Sequence, residues 1–145
     1  MGTPEQAPTK ILYTAVATAD GGRDGHVRTD DGAVDADVRV PKAMGGQGGG
    51  TNPEQLFASG YAACFQSALF VVARRARADV TGSTVTAAVG IGPSGGGGYG
   101  LAVELTISLP SVDSSAAREL AEAAHQVCPY SNATRGNIDV RLTIA

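Results

Sequence analysis

Two thiols and a few charged side chains hold most of the reactive chemistry this sequence can offer. Cys64 falls in the middle of TNPEQLFASGYAACFQSALFVVARRAR, residues 51–77, and Cys128 in VCPYSNATRGNI, residues 127–138. A thiol attacks as its thiolate, and apolar surroundings oppose that ionisation. If the segment is a helix, Cys64 lies roughly 15–20 Å of rise beyond its start, too far for the helix dipole to help. A reactive Cys64 therefore needs a positive charge brought from elsewhere, and the sequence offers Arg23 in GGRDG and Arg135 in NATRGN. His125, three residues before Cys128, could form a Cys–His pair, but helical spacing fails at Cys128, so it reads as a half-exposed surface residue.

Glu54 has two readings. It completes a capping box with Thr51, and it could orient an arginine. Ten residues separate Glu54 from Cys64, about 15 Å along a straight helix, so one guanidinium in the same chain could hardly touch both. We infer an arrangement in which the Arg23–Glu54 pair of one subunit serves Cys64 of another.

The elements that must position these residues follow from periodicity. Thr51–Arg77 reads as a helix, with Pro53 in its first turn and apolar or small residues on nearly every side. It is therefore expected to be buried all round and to hold Cys64 away from bulk water. Lys10–Thr18, His26–Asp30 and Asp35–Val40 alternate as a three-stranded antiparallel meander ending at Pro41. The glycine-rich KAMGGQGGG, residues 42–50, reads as a mobile loop, since no Gly-Lys-Ser/Thr follows to make a phosphate loop. Ser83–Ile91 and Tyr99–Leu109 form a hairpin around GPSGGGG. Its match to a dinucleotide fingerprint fails because a strand, not a helix, comes next. Ser111–Val127 is a second helix, capped by Ser111 or Asp113 and ended by Cys128-Pro129, where the backbone is expected to be movable. Asn137–Ile144 closes an α+β domain of order βββ-α-ββ-α-β over residues 1–145, with residues 1–9 as a flexible tail.

Composition narrows the function. A net charge of −3 and the absence of Trp leave no footprint for nucleic acid. MGTPEQAPTK lacks an apolar signal region, so a cytoplasmic protein is expected. Gln55–Ala73 is uncharged and followed by arginines, like a membrane span, but Ser59, Gly60, Gln66 and Ser67 weaken that reading. Two cysteines and two histidines at these spacings suit neither a disulfide scaffold nor a zinc site. Redox use of the thiol pair, as an enzyme or as a sensor, then stands against the bland alternative of two buried, inert thiols. No G-x-S-x-G supports a serine hydrolase.

The segments TNPEQLFASGYAACFQSAL, VCPYSNATRGNIDV and GGRDG resemble the organic hydroperoxide resistance (Ohr) branch of the OsmC/Ohr family, from about Leu12 to Ile144. The resemblance implies an intertwined homodimer whose central buried helix is wrapped by antiparallel sheet. It also implies a thiol peroxidase that uses no metal or other cofactor. By position, Cys64 matches the peroxidatic cysteine and Cys128 the resolving cysteine. Arg23 matches the arginine that stabilises the thiolate and polarises the peroxide, and Glu54 the carboxylate that holds it. The expected substrates are organic hydroperoxides, including those of fatty acids. The expected reductant is a dithiol such as dihydrolipoamide on a lipoylated protein.

Overall fold

The computed structural model describes residues 6–145, and the expected tail is therefore described only from Gln6 onward. The chain divides into two compact units, one ending at Leu56 and the other running Phe57–Ala145. Helix α1, Pro53–Ala76, begins in the first and continues into the second.

The first unit is built on the meander β1 (Ala17–Asp20), β2 (His26–Thr29) and β3 (Asp35–Asp37), paired antiparallel in that order. All three strands are shorter than their alternation predicts. Residues 11–16 adopt no strand, and Ile11, Leu12 and Tyr13 are exposed. A strand needs a neighbour to take its backbone hydrogen bonds, and this segment meets one at its end, where the Val16 carbonyl accepts from Asp30 N–H at 3.0 Å. The β1–β2 turn tightens into a short 3-10 segment, Gly22–Asp24, with Arg23 at its centre. Gly25 is required there, because a Cβ at that position would lie 1.8 Å from the Asp20 carbonyl oxygen.

Beyond β3, Val38 bridges in parallel to Thr51. Arg39 N–H donates to the Thr51 carbonyl at 2.8 Å, and Thr51 N–H to the Asp37 carbonyl at 2.9 Å. These bonds fasten the start of α1 beside the meander. The intervening glycine-rich segment is less free than the sequence suggests. It contains a 3-10 turn, Lys42–Met44, and both Gly46 N–H and Gly48 N–H return to carbonyls at Pro41 and Val40.

The second unit carries a continuous core. Strands β4 (Thr84–Pro93) and β5 (Tyr99–Ser108) form the expected antiparallel hairpin, from Thr84↔Ser108 to Pro93↔Tyr99. The last strand, β6 (Asp139–Ile144), pairs parallel to β5 from Ala102↔Asp139 to Ile107↔Ile144, so this sheet is mixed rather than wholly antiparallel. Parallel neighbours need a crossover, which helices α2 (Ser114–Val127) and α3 (Pro129–Thr134) supply. Asp113 is the N-cap of α2, its carboxylate accepting from Ala116 N–H at 2.8 Å, whereas Ser111 bonds to the Thr81 carbonyl.

Val103, Leu105 and Ile107 present the two-residue period of a sheet face. They pack with Ala117, Leu120, Ala121 and Ala124 of α2 and with Tyr61, Phe65, Leu69 and Val72 of α1. Each fully buried side chain of Leu, Ile or Phe size contributes about 1.5–3 kcal/mol. The expectation that α1 is buried all round is not met within one chain. Tyr61, Phe65, Ala68, Leu69, Val72 and Ala73 are buried, while Phe70 is exposed. By length and composition α1 could cross a membrane, but its inner stripe belongs to the core just described.

Candidate active site

The start of α1 differs from the expected capping box by one residue, with a consequence for Glu54. Pro53 takes the first helical position, which makes Asn52 the N-cap, and Asn52 Oδ1 accepts from Gln55 N–H at 2.8 Å. Thr51 Oγ1 donates instead to Gln55 Oε1 at 3.0 Å. The Glu54 carboxylate is turned toward the Gly22–Asp24 turn and takes a two-pronged contact from Arg23. Nη1 donates to Oε2 at 2.9 Å and Nη2 to Oε1 at 2.7 Å. This fork-to-fork geometry is the strong, directional form of the pair. The guanidinium remains 39% exposed while the carboxylate is 12% exposed.

The Arg23 hydrogen bonds hold the Glu54 carboxyl below its ordinary value, although burial opposes them. A depressed carboxyl stabilises the fold above its unfolded pKa of about 4.3 and loses that contribution as pH falls through the lower folded value. Glu54→Gln is therefore expected to lower the melting temperature at neutral pH, with the deficit shrinking below about pH 4. A deficit that stays constant down to pH 2 in thermal melts would contradict a stabilising ion pair at this position.

In the second unit, Cys64 of α1 and Cys128 at the α2–α3 corner are brought together. Both are free thiols, and Cys128 Sγ lies 3.7 Å from Cys64 Sγ. A disulfide needs about 2.05 Å, so the sulfurs must approach by only about 1.7 Å. The helix was expected to shield Cys64 most fully and to leave Cys128 at a movable end, and neither holds within one chain. Cys128 is fully buried and Cys64 only partly so. The corner is also tied at both sides, because Cys128 N–H donates to the Ala124 carbonyl at 2.9 Å and Asn132 N–H to the Cys128 carbonyl at 2.9 Å. Cys128 ends α2 in extended conformation, as its proline neighbour requires, and serves at once as N-cap of α3.

Burial raises the Cys64 thiol above its ordinary value, a hydrogen bond from the Tyr130 backbone lowers it, and neighbouring Cys128 raises it. That backbone bond comes from the first turn of α3, a source invisible to reasoning along α1 alone. Phe57, Tyr61 and Tyr130 form an aromatic group on this side of α1, with ring centroids 5.6–6.0 Å apart. Gly60 makes room for it, since a Cβ there would lie 2.7 Å from the Tyr130 hydroxyl.

The remaining candidates are placed elsewhere. Arg135 donates to Asn132 Oδ1 at 2.8 Å and to the His125 carbonyl, fastening α3 to the end of α2. His125 is half-buried, and its Nδ1 meets Ser131 Oγ at 2.7 Å rather than serving Cys128. Its imidazole is held below the usual range by burial and then by the Arg135 charge. Sequence reasoning missed Ser131 and Thr134, which are buried and bond to the Tyr61 hydroxyl. Their spacing of three after Pro129, one helical face, was the available signal.

The OsmC-like protein family matches residues 46–143. The organic hydroperoxide resistance protein of Xanthomonas axonopodis pv. citri is 53% identical over 141 residues, 96% of this chain and 99% of that protein. The crystal structure of an organic hydroperoxide resistance protein from Elizabethkingia anophelis, with thiocyanate bound, superposes with a TM-score of 0.89 at 54% identity. It covers 94% of this chain and 99% of that one. OhrB of Bacillus subtilis gives a TM-score of 0.86 at 46% identity, covering 93% and 100%. With the fold and near full-length similarity in agreement, the chain belongs to the OsmC/Ohr family, on its organic hydroperoxide resistance branch.

Proposed function

We propose that this chain is a cysteine-based peroxidase that reduces organic hydroperoxides to alcohols in the cytoplasm during oxidative stress. The observation that carries the reading is the 3.7 Å approach of Cys64 and Cys128 in a largely apolar setting. Similarity to proteins named for organic hydroperoxide resistance supports the substrate class. Cys64 thiolate attacks the O–O bond, so the S–O bond forms and alkoxide leaves to become alcohol. Cys64 is thereby oxidised to sulfenic acid. Cys128 condenses with it to a disulfide, and an external dithiol of the dihydrolipoamide type restores both thiols by exchange.

Burial works against the Cys64 thiolate, and Arg23, oriented by Glu54, is assigned the compensating positive charge. We assign that arginine to a second copy of the chain in an intertwined homodimer. Exposure of Phe70 on α1 and of Ile11, Leu12 and Tyr13 in one chain supports such a partner. We read residues 1–145 as one functional domain.

Peroxide consumption with cumene hydroperoxide or hydrogen peroxide, each with dihydrolipoamide or thioredoxin as reductant, tests the proposal. Fast turnover is expected with cumene hydroperoxide and dihydrolipoamide, exceeding the hydrogen peroxide reaction by at least about tenfold, as an apolar site implies. Equal rates with both peroxides would refute the substrate class, and turnover with thioredoxin alone would refute the reductant.

A further inference from the structure

The Tyr61 hydroxyl lies fully buried on α1, one turn before Cys64. It meets Ser131 Oγ at 2.8 Å and Thr134 Oγ1 at 3.1 Å, both on α3. Ser131 Oγ also meets His125 Nδ1 of α2 at 2.7 Å, and Thr134 Oγ1 donates to the Ser131 carbonyl at 3.2 Å. Unpaired hydroxyls would be costly here, and among the described residues no buried side-chain nitrogen or oxygen lacks a partner.

Each hydroxyl has one hydrogen to give, so the contacts run in a single sense along the chain. With the Thr134 hydrogen on the Ser131 carbonyl, the chain runs from His125 Nδ1–H through Ser131 and Tyr61 to Thr134; with that hydrogen on Tyr61 it runs the opposite way, and either sense keeps every contact between the helices. Three of these contacts join α1, α2 and α3. Each cysteine lies three residues from members of the chain: Cys64 from Tyr61, and Cys128 from both His125 and Ser131.

We propose that the His125–Ser131–Tyr61–Thr134 chain is a positioning device that holds the Cys128 corner against Cys64 and so governs closure of the disulfide. These residues act through the backbone that carries the sulfurs and touch no reacting atom. The inference rests on the cysteine chemistry proposed above. In closure, Cys128 sulfur attacks the sulfenic sulfur of Cys64. The S–O bond breaks, the S–S bond forms, and hydroxide leaves with the thiol proton as water. The competing fate is a second hydroperoxide taking Cys64 to sulfinic acid. Holding the partner sulfur near raises its effective concentration and favours closure, as orientation does in any intramolecular reaction.

The test is the dithiol–disulfide equilibrium of the full-length protein in graded mixtures of reduced and oxidised dithiothreitol. Tyr61→Phe and Thr134→Val each remove one hydroxyl while keeping shape. Both are expected to move the equilibrium toward the dithiol by roughly tenfold, about 30 mV, and to raise the sulfinic fraction of Cys64 after peroxide treatment. Thr134→Ser, which keeps the hydroxyl, and Leu120→Ala, which loosens the same core but removes none of these hydrogen bonds, should stay within about twofold of the parent. If Tyr61→Phe and Thr134→Val also stay within that range, or Leu120→Ala moves as far as they do, the positioning role is overturned. A parent protein that forms no Cys64–Cys128 disulfide at any ratio would overturn the peroxidase reading itself, and this inference with it.

Discussion

Serine in place of Cys64 is expected to reduce hydroperoxide turnover by at least about a thousandfold, leaving only background consumption. A serine hydroxyl ionises far less readily than a thiol and its oxygen cannot be taken to a stable sulfenic-acid equivalent, so both the attack and the oxidised product are lost. Cys128 is a poor substitute, because it is fully buried and enclosed by the α2–α3 corner. The exchange removes little volume from a position that is only partly buried, so the fold should survive it. The measurement is cumene hydroperoxide consumption with a dithiol reductant, alongside a thermal melt. Retention of more than about a tenth of the parent rate would move the attacking group to another residue.

Cys128→Ser should separate the two halves of the reaction. Cys64 keeps its position on α1, so the first equivalent of hydroperoxide is consumed by the variant. Closure is impossible, however, because the sulfur 3.7 Å from Cys64 is gone. The sulfenic acid then meets further peroxide and climbs to sulfinic acid, which dithiols do not reverse. Steady-state turnover is expected to fall by at least about a hundredfold after the first cycle, with sulfinic acid at Cys64 visible by mass spectrometry. Sustained turnover at the parent rate would show that Cys128 has no part in resolving the oxidised cysteine.

Much of this arrangement was legible in the sequence where local rules decide it. Proline after Cys128 ends α2, Asp113 caps that helix, and alternation marks the β4–β5 hairpin. What could not be read was set by neighbours distant in sequence. Alternation predicts strands but not their direction, so the parallel pairing of β6 with β5 was invisible. Residues 11–16 alternate without becoming a strand, because pairing depends on a partner that the segment does not itself encode.

Cys128 was expected to be mobile because a proline follows it. Burial and the hydrogen bonds on both sides of the corner override that local signal. The N-cap falls one residue later than expected because Pro53 fixes the first helical position, and this frees the Glu54 carboxylate for Arg23. The nearness of Cys64 and Cys128, 64 residues apart, came from resemblance alone. No periodicity in either segment measures the distance between them.

The most direct measurement adds one equivalent of cumene hydroperoxide to the fully reduced protein and maps both thiols by mass spectrometry. The account predicts one Cys64–Cys128 disulfide within a single chain for each peroxide consumed, with cumyl alcohol released in equal amount. Both thiols remaining free while the peroxide persists would contradict it.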